Sequence, residues 1–201
     1  MLASCSKDEV NPAENEQVLF ETDFSKDDGM LWVGTEEVVS ASIEDGNYNF
    51  INEHASRSHW SAFSQTFSDA YTSTAIETRV NLSSTDDEEP GAGGLFWNRN
   101  MENASDFAFM INNVGQFTIG GYPDGTTYTV YQDWTSHTAV HSNAFNVLRI
   151  ESRDNEFHFF INGTEVYSMQ AVNSASLDRF GFLVSYKSAL QADYFKAVAL
   201  K

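Results

Sequence analysis

The segment Asn146–Met169, NVLRIESRDNEFHFFINGTEVYSM, decides the fold class. Val147 to Glu151 alternates apolar and polar residues with period two, the mark of a half-buried strand. Arg153-Asp154-Asn155 supplies turn residues. Beyond them Phe157, Phe159 and Ile161 fall on one side of a second strand, with His158 and Phe160 on the other. Asn162-Gly163 then gives a two-residue hairpin loop, because a type I′ turn requires positive φ at both central positions. Thr164 to Met169 returns as a third strand, so the segment reads as an antiparallel meander.

Strand and turn signals of the same kind run outward in both directions. Val18-Leu19-Phe20 opens a first strand and Ser25-Lys26-Asp27-Asp28-Gly29 is a turn cluster. Val38 to Ile43 and Tyr48 to Ile51 flank Asp45-Gly46, a second hairpin dipeptide. In Thr74 to Leu82, Ala75, Glu77, Arg79 and Asn81 alternate with Ile76, Val80 and Leu82, and Thr78 is the polar exception on the apolar side. Gly94 to Trp97, Asp106 to Ile111, Gln116 to Ile119 and Tyr128 to Trp134 read as strands. Turns at Asn112-Asn113-Val114-Gly115 and Tyr122-Pro123-Asp124-Gly125 punctuate them. Phe180 to Tyr186 and Asp193 to Leu200 supply the last strands. About a dozen short strands, with turn signals every ten residues or so, indicate an all-β antiparallel sandwich. Helical periodicity is nearly absent; only Asn173 to Asp178 has room for one turn.

The 201 residues fit one domain, and folding at this size buries roughly 70% of the unfolded surface. Sixteen Phe, eight Tyr and four Trp provide a rich core. The net charge of −18, from 11 basic and 29 acidic residues, argues against nucleic acid as a partner, since phosphate binding depends on Lys and Arg. No apolar run approaches the ~18–20 residues of a membrane span. The single cysteine, Cys5, excludes an internal disulfide. Leu2-Ala3-Ser4-Cys5 resembles a bacterial lipobox, and Ser6-Lys7-Asp8-Glu9 resembles the signal that follows the lipidated cysteine in surface lipoproteins of the Bacteroidetes. The charged and apolar segments of a signal peptide are not in the sequence, so residues 1–17 are read as a lipobox remnant and a disordered tether, with polar Val10 to Gln17 lacking periodicity. The sandwich is expected over 18–201, lipid-anchored through Cys5 at the cell surface of an outer membrane.

The order of the pieces is similar to that of the bacterial laminin-G-like, concanavalin A-like (jelly-roll) sandwich domains. They are Asp45-Gly46-Asn47-Tyr48, Gly94-Leu95-Phe96-Trp97, Phe107 to Ile111 with Gly115-Gln116-Phe117, Trp134-Thr135-Ser136 with Ala139-Val140, Asn146-Val147-Leu148-Arg149, Phe159 to Gly163, and Asp193-Tyr194-Phe195. The resemblance covers about Val18 to Lys201 and implies two curved antiparallel sheets of six or seven strands. Its members include lectins, laminarinase-type glycoside hydrolases, 3-keto-disaccharide hydrolases and domains without activity, so it implies the fold better than the function.

Retaining glycosidases of this fold carry Glu-x-Asp-x-x-Glu on one strand, which places the carboxylates on one face. The chain has no such motif: Glu21-Thr22-Asp23 begins like it, but Lys26 stands where the second glutamate belongs. The expectation is therefore a non-catalytic chain. The acidic run Asp86, Asp87, Glu88 and Glu89 offers oxygen ligands to Ca²⁺, the one cofactor considered, and reads first as a solvated loop. His137 with His141, and His54 with His59, read as loop histidines. Trp97 and Trp134 match the family pattern and are expected in the scaffold. Trp60, in a polar loop, and Tyr122, Tyr128 and Tyr131 near a hairpin tip are the candidate ligand-stacking residues. Arg57, Asn98, Arg99 and Gln132 are their candidate polar companions. The function expected is surface glycan binding without catalysis; the alternatives are a structural or interaction subunit of an outer-membrane protein complex and a glycan-processing enzyme.

Overall fold

The computed structural model describes residues 16–65, 67, 71–86 and 88–201. Cys5 and its flanking residues lie outside them. Fifteen strands follow one another: β1 (Glu16–Thr22), β2 (Gly34–Glu36), β3 (Val39–Glu44), β4 (Asn47–Asn52), β5 (His59–Ala62), β6 (Thr74–Ser84), β7 (Ala92–Trp97), β8 (Asp106–Asn112), β9 (Gln116–Tyr122), β10 (Thr129–Ser136), β11 (Asn146–Arg153), β12 (Glu156–Ile161), β13 (Thr164–Gln170), β14 (Gly181–Val184) and β15 (Ser188–Leu200). Among the described residues there is no helix. In 173–178, where one turn had room to form, the Asp178 carboxylate instead accepts from the Phe67 amide at 2.6 Å and from the Ser176 hydroxyl at 2.5 Å.

The strands form two antiparallel sheets. One runs β13-β12-β11-β6-β15-β4-β3-β2, and β1 joins it beside β15 as a ninth strand; the other runs β10-β9-β8-β7-β14-β5. The larger sheet exceeds the expected six or seven strands: eight lie along one path, and the 13-residue β15 leaves room for β1 as a ninth. One side of β15 is shared end to end, by β4 along Ser188–Ala192 and by β1 along Phe195–Leu200. The sandwich also starts earlier than Val18: Glu16 and Gln17 pair with Leu200 and Ala199, and the Glu16 carboxylate lies 2.7 Å from Arg149. A buried ion pair, invisible to a hydropathy reading, extends the strand.

The meander is β11, β12 and β13. Phe157, Phe159 and Ile161 are fully buried, and the loop residues Asn162 and Gly163 have φ of 50° and 79°. Asp45-Gly46 repeats the arrangement at 52° and 70°. The first meander turn is also a positive-φ pair, Asp154 and Asn155, with Arg153 still in the strand. Asn162 does more than turn the chain. Its amide donates to Asn146 Oδ1 and to the Ala139 carbonyl, both at 2.8 Å, while Asn146 donates to the carbonyls of His141 and Ala144. Those two asparagines hold the loop before β11. His137 belongs to that loop as well, its ring edge-on to Phe117 and its Nδ1 accepting from the Ala139 amide.

Between the sheets lies an aromatic core. Phe159 packs against Trp97, Phe109 and Tyr167 at centroid distances of 5.8, 5.3 and 6.2 Å, and Phe180 stacks on Phe195 at 5.1 Å. Each such side chain contributes roughly 1.5–3 kcal/mol through burial. Thr78 is fully buried because the register of β15 shifts between Ala192 and Tyr194; its hydroxyl donates to the Tyr194 carbonyl at 2.6 Å. Trp97 is in the core, as the family pattern implied. Trp134 is not: it is 39% exposed, on edge strand β10 where the pairing slips between Gln132 and Thr135 and turns the side chain outward.

Candidate ligand-binding site

The outward face of the six-stranded sheet is built on small residues. Strand register places Ala62, Gly181, Phe96, Ala108 and Gly120 in one transverse row. Antiparallel partners in direct register share a face, so this row is a shallow floor with one large side chain. That side chain, Phe96, is fully buried because the Trp60 ring lies flat over it at 5.5 Å and 9°. Trp60 stands on edge strand β5 rather than in a loop, and it keeps 41% of its surface exposed. At Gly120 a Cβ would come 2.3 Å from the Tyr128 hydroxyl oxygen, so glycine is what lets Tyr128 lie across the sheet. Tyr122 meets Tyr128 edge to face at 5.2 Å.

Arg99 links the two aromatic groups. Its guanidinium carbon is 5.2 Å from the Trp60 ring centroid, and its Nη1 donates to Asp106 at 2.6 Å and to the Ala104 carbonyl at 2.9 Å. Asp106 pairs in register with Tyr122. Burial pushes the Asp106 carboxyl above its ordinary pKa, more than the neighbouring Arg99 charge pulls it down. Burial also raises the Tyr128 hydroxyl, helped by Tyr122, Asp106 and Asp133. Trp60, Arg99, Asp106, Tyr122 and Tyr128 thus form one continuous string across the face.

At the β5 edge the string runs into a cleft. There β2, the edge of the large sheet, faces β5, the edge of the small one, and a cavity of about 330 Å³ opens between them. Trp32 and Trp60 both line it, with His54, His59, Glu36 and Glu37 as polar groups and Val38, Val39 and Phe50 as apolar wall. Trp32 is fixed from below: its ring meets Phe50 at 6.5 Å, and its carbonyl accepts from the Tyr48 hydroxyl at 3.0 Å. His59 Nδ1 is buried with no hydrogen-bond partner among the described residues.

Four sequence candidates, Trp60, Arg99, Tyr122 and Tyr128, therefore come together, and four do not join them. Arg57 is exposed in the β4–β5 loop, where its carbonyl accepts from Asn52. Asn98 donates to the Ser174 carbonyl and touches the string only through Arg99, with which it lines a second opening beside Asn173 and Asp178. Tyr131 packs against the core beside Phe107 at 6.2 Å. Gln132 bonds locally to Thr135 and the Asp133 carbonyl. Asp86 holds its own loop by accepting from the amides of Glu88 and Glu89, and it lies 3.6 Å from Lys187; Asp87 is outside the described residues. Among the described residues no three His, Cys, Asp or Glu side chains are grouped to hold a metal ion. Sequence reasoning missed Trp32 and Asp106. Trp32, set among Met30, Leu31 and Val33 after a turn cluster, carried a faint signal; Asp106 carried none.

A second charged group lies on the outward face of the nine-stranded sheet. Arg149 reaches Glu16, Glu77 and Glu151 at 2.7, 3.1 and 2.8 Å, and Lys196 reaches Glu77 at 3.1 Å. The Tyr194 hydroxyl donates to Glu77 at 2.7 Å. Burial lowers the Arg149 pKa, but the three carboxylates outweigh it and the net shift is upward.

No family model matches the chain, and no curated protein matches it. Solved structures do. One comes from work on endo-acting O-glycanases that prominent members of the human gut microbiota express to initiate mucin breakdown; it is 10% identical with a TM-score of 0.63, covering 92% of this chain and 100% of that one. The Emp47p carbohydrate recognition domain is 12% identical at a TM-score of 0.63, covering 95% and 100%. The carbohydrate-binding module CBM66 from Bacillus subtilis is 11% identical at 0.59, covering 79% and 91%. At such identities the likeness concerns the fold, and the fold is a concanavalin A-like sandwich.

Proposed function

We propose that the chain is a non-catalytic glycan-binding sandwich, held by lipid on Cys5 at the outer surface of a bacterial outer membrane. The observation that carries the binding reading is the string Trp60–Arg99–Asp106–Tyr122–Tyr128 on a small-residue floor, opening into the two-tryptophan cleft. Sugars stack their apolar faces on aromatic rings while a few fixed polar groups select hydroxyls, usually in a preformed site. Arg99 and Asp106 supply a donor and an acceptor already held in place. The net charge of −18 favours a neutral glycan over a polyanionic one. That neighbours in fold include a carbohydrate-binding module and a carbohydrate recognition domain supports the same reading.

The test is a glycan array on the domain without lipid, with and without Ca²⁺, followed by titration of Trp60→Ala and Tyr122→Ala. Each substitution is expected to weaken binding by about 1–3 kcal/mol, the order of burying one such side chain. No glycan hit, together with a stoichiometric protein partner in the native membrane, would replace this reading with an interaction subunit docking through the same cleft. For the anchor, Cys5→Ala removes the residue that would carry the acyl chains, and is expected to move the protein from the detergent phase to the soluble fraction. Soluble wild-type protein from its native host would overturn that part.

A further inference from the structure

The opposite side of the sandwich carries a second groove, with no aromatic residue in its lining. A cavity of about 490 Å³ opens on the outward face of the nine-stranded sheet, over β3, β4, β15 and β6. Its volume falls within the roughly 300–1,000 Å³ of small-molecule sites. Cross-strand register explains its lining: Ser42 pairs with Asn49, Asn49 with Gln191, and Gln191 with Asn81. Three carboxamides therefore stand side by side on adjacent strands, about 4.8 Å from one to the next. Each offers two donors and one acceptor oxygen. Asn81 Oδ1 is buried with no hydrogen-bond partner among the described residues. A buried acceptor of that kind is ordinarily satisfied, so the row is built to receive a donor.

We propose that this amide row is a second carbohydrate site, taking a neutral, hydroxyl-rich oligosaccharide laid across the strands. The class follows from the lining. Glu44 and Asp45 stand at the rim and no Lys or Arg lines the cavity, so an anionic ligand has no counter-charge there. Alternating donors and acceptors match hydroxyl groups, which are both. Ile51, 37% exposed in the same lining, provides an apolar wall for the C–H face of a sugar ring. The groove lies on the other sheet from Trp60, so the two sites face opposite ways and one domain would engage two glycan chains. Tethered chains joined by such a domain gain avidity without any new contact.

The experiment follows the side-chain NH₂ resonances of Asn49, Asn81 and Gln191 and the Trp60 indole N–H in one ¹⁵N spectrum. The probes are maltotriose, laminaritriose and chitotriose, each added separately. The expected result is saturable shifts of the three carboxamide signals with at least one trisaccharide, retained in Trp60→Ala. In the Asn49→Ala, Gln191→Ala double variant, affinity read at the remaining Asn81 amide should fall at least tenfold. No saturable shift at these amides overturns the proposal, as do shifts that vanish in Trp60→Ala, or shifts that Ca²⁺ produces and no sugar does. Affinity at the Asn81 amide left unchanged by the double substitution overturns it too. The Trp60 indole reports separately on the aromatic site, so either site can fail without the other.

Discussion

The charged cluster on the nine-stranded sheet and the aromatic string on the six-stranded sheet use polar residues in opposite ways. On the nine-stranded sheet, Arg149 and Lys196 sit among Glu16, Glu77 and Glu151, and each carboxylate has a cation within about 3 Å. These groups are mostly buried and answer one another. On the six-stranded sheet the polar pair is Arg99 and Asp106, set beside exposed aromatic rings. The first arrangement closes a surface and ties β1, β6, β11 and β15 together. The second leaves stacking surface open next to oriented hydrogen-bonding groups. Polar content alone therefore does not mark a site; what marks it is polar groups held in place beside surface that nothing covers.

Substitutions can break that contrast, and the largest effect belongs to the core both faces share. Phe159→Ala should cost about 3–5 kcal/mol, read as a lower denaturation midpoint, because four aromatic neighbours would border the cavity. Next comes Arg149→Leu, which leaves three largely buried carboxylates with Lys196 and Arg153 alone; about 3 kcal/mol is expected from chemical denaturation. Trp60→Ala should cost about 1–2 kcal/mol, since it uncovers Phe96, whereas Trp134→Ala should stay within about 0.5 kcal/mol. Equal losses from the two tryptophans would contradict the placement of one over a buried ring and the other at a slipped edge.

The smallest effect is a pH dependence that sharpens the contrast. Asp106 has a raised pKa, so on acidification it takes up its proton earlier than an ordinary aspartate. Protonation removes the charge that holds Arg99 beside Trp60, and glycan affinity should fall as pH drops through that raised value. Stability should not fall with it. A carboxyl whose folded pKa lies above its unfolded one is penalised by burial when charged, and protonation relieves that penalty. Binding and thermal scans should therefore diverge in the window above the ordinary aspartate pKa, before Asp86 and Asp124, whose pKa values are lowered, begin to lose their stabilising charge.

Much of the fold was legible because its signals are local. Asn162-Gly163 and Asp45-Gly46 need only their own backbone angles, and the alternation in β12 needs only its neighbours in sequence. Thr78 looked like a flaw in its strand until the β15 slip supplied a carbonyl for it. The candidate site was half legible. Exposed aromatics near turns could be guessed, but Trp32, just before β2, and Trp60, on β5, line one cleft only because the edges of two sheets come together there. Arg99 is separated from Trp60 by 39 positions, and no pattern of period two connects them. Trp134, which the family resemblance put in the scaffold, is 39% exposed because the pairing of its edge strand slips.

The pairing of Glu16 with Leu200 has a mechanical consequence. Both residues lie at the same end of the antiparallel β1–β15 ladder, so a load pulling them apart opens the ladder one rung at a time. That is the geometry of a zipper rather than of a sheared joint, and the register shift between Val18 and Phe20 puts a weak rung close to the fork. The Glu16 carboxylate, gripped by Arg149, is the clasp at that fork. Under tension that pair would have to part before β1 could peel, so Glu16 guards the first rung of the ladder.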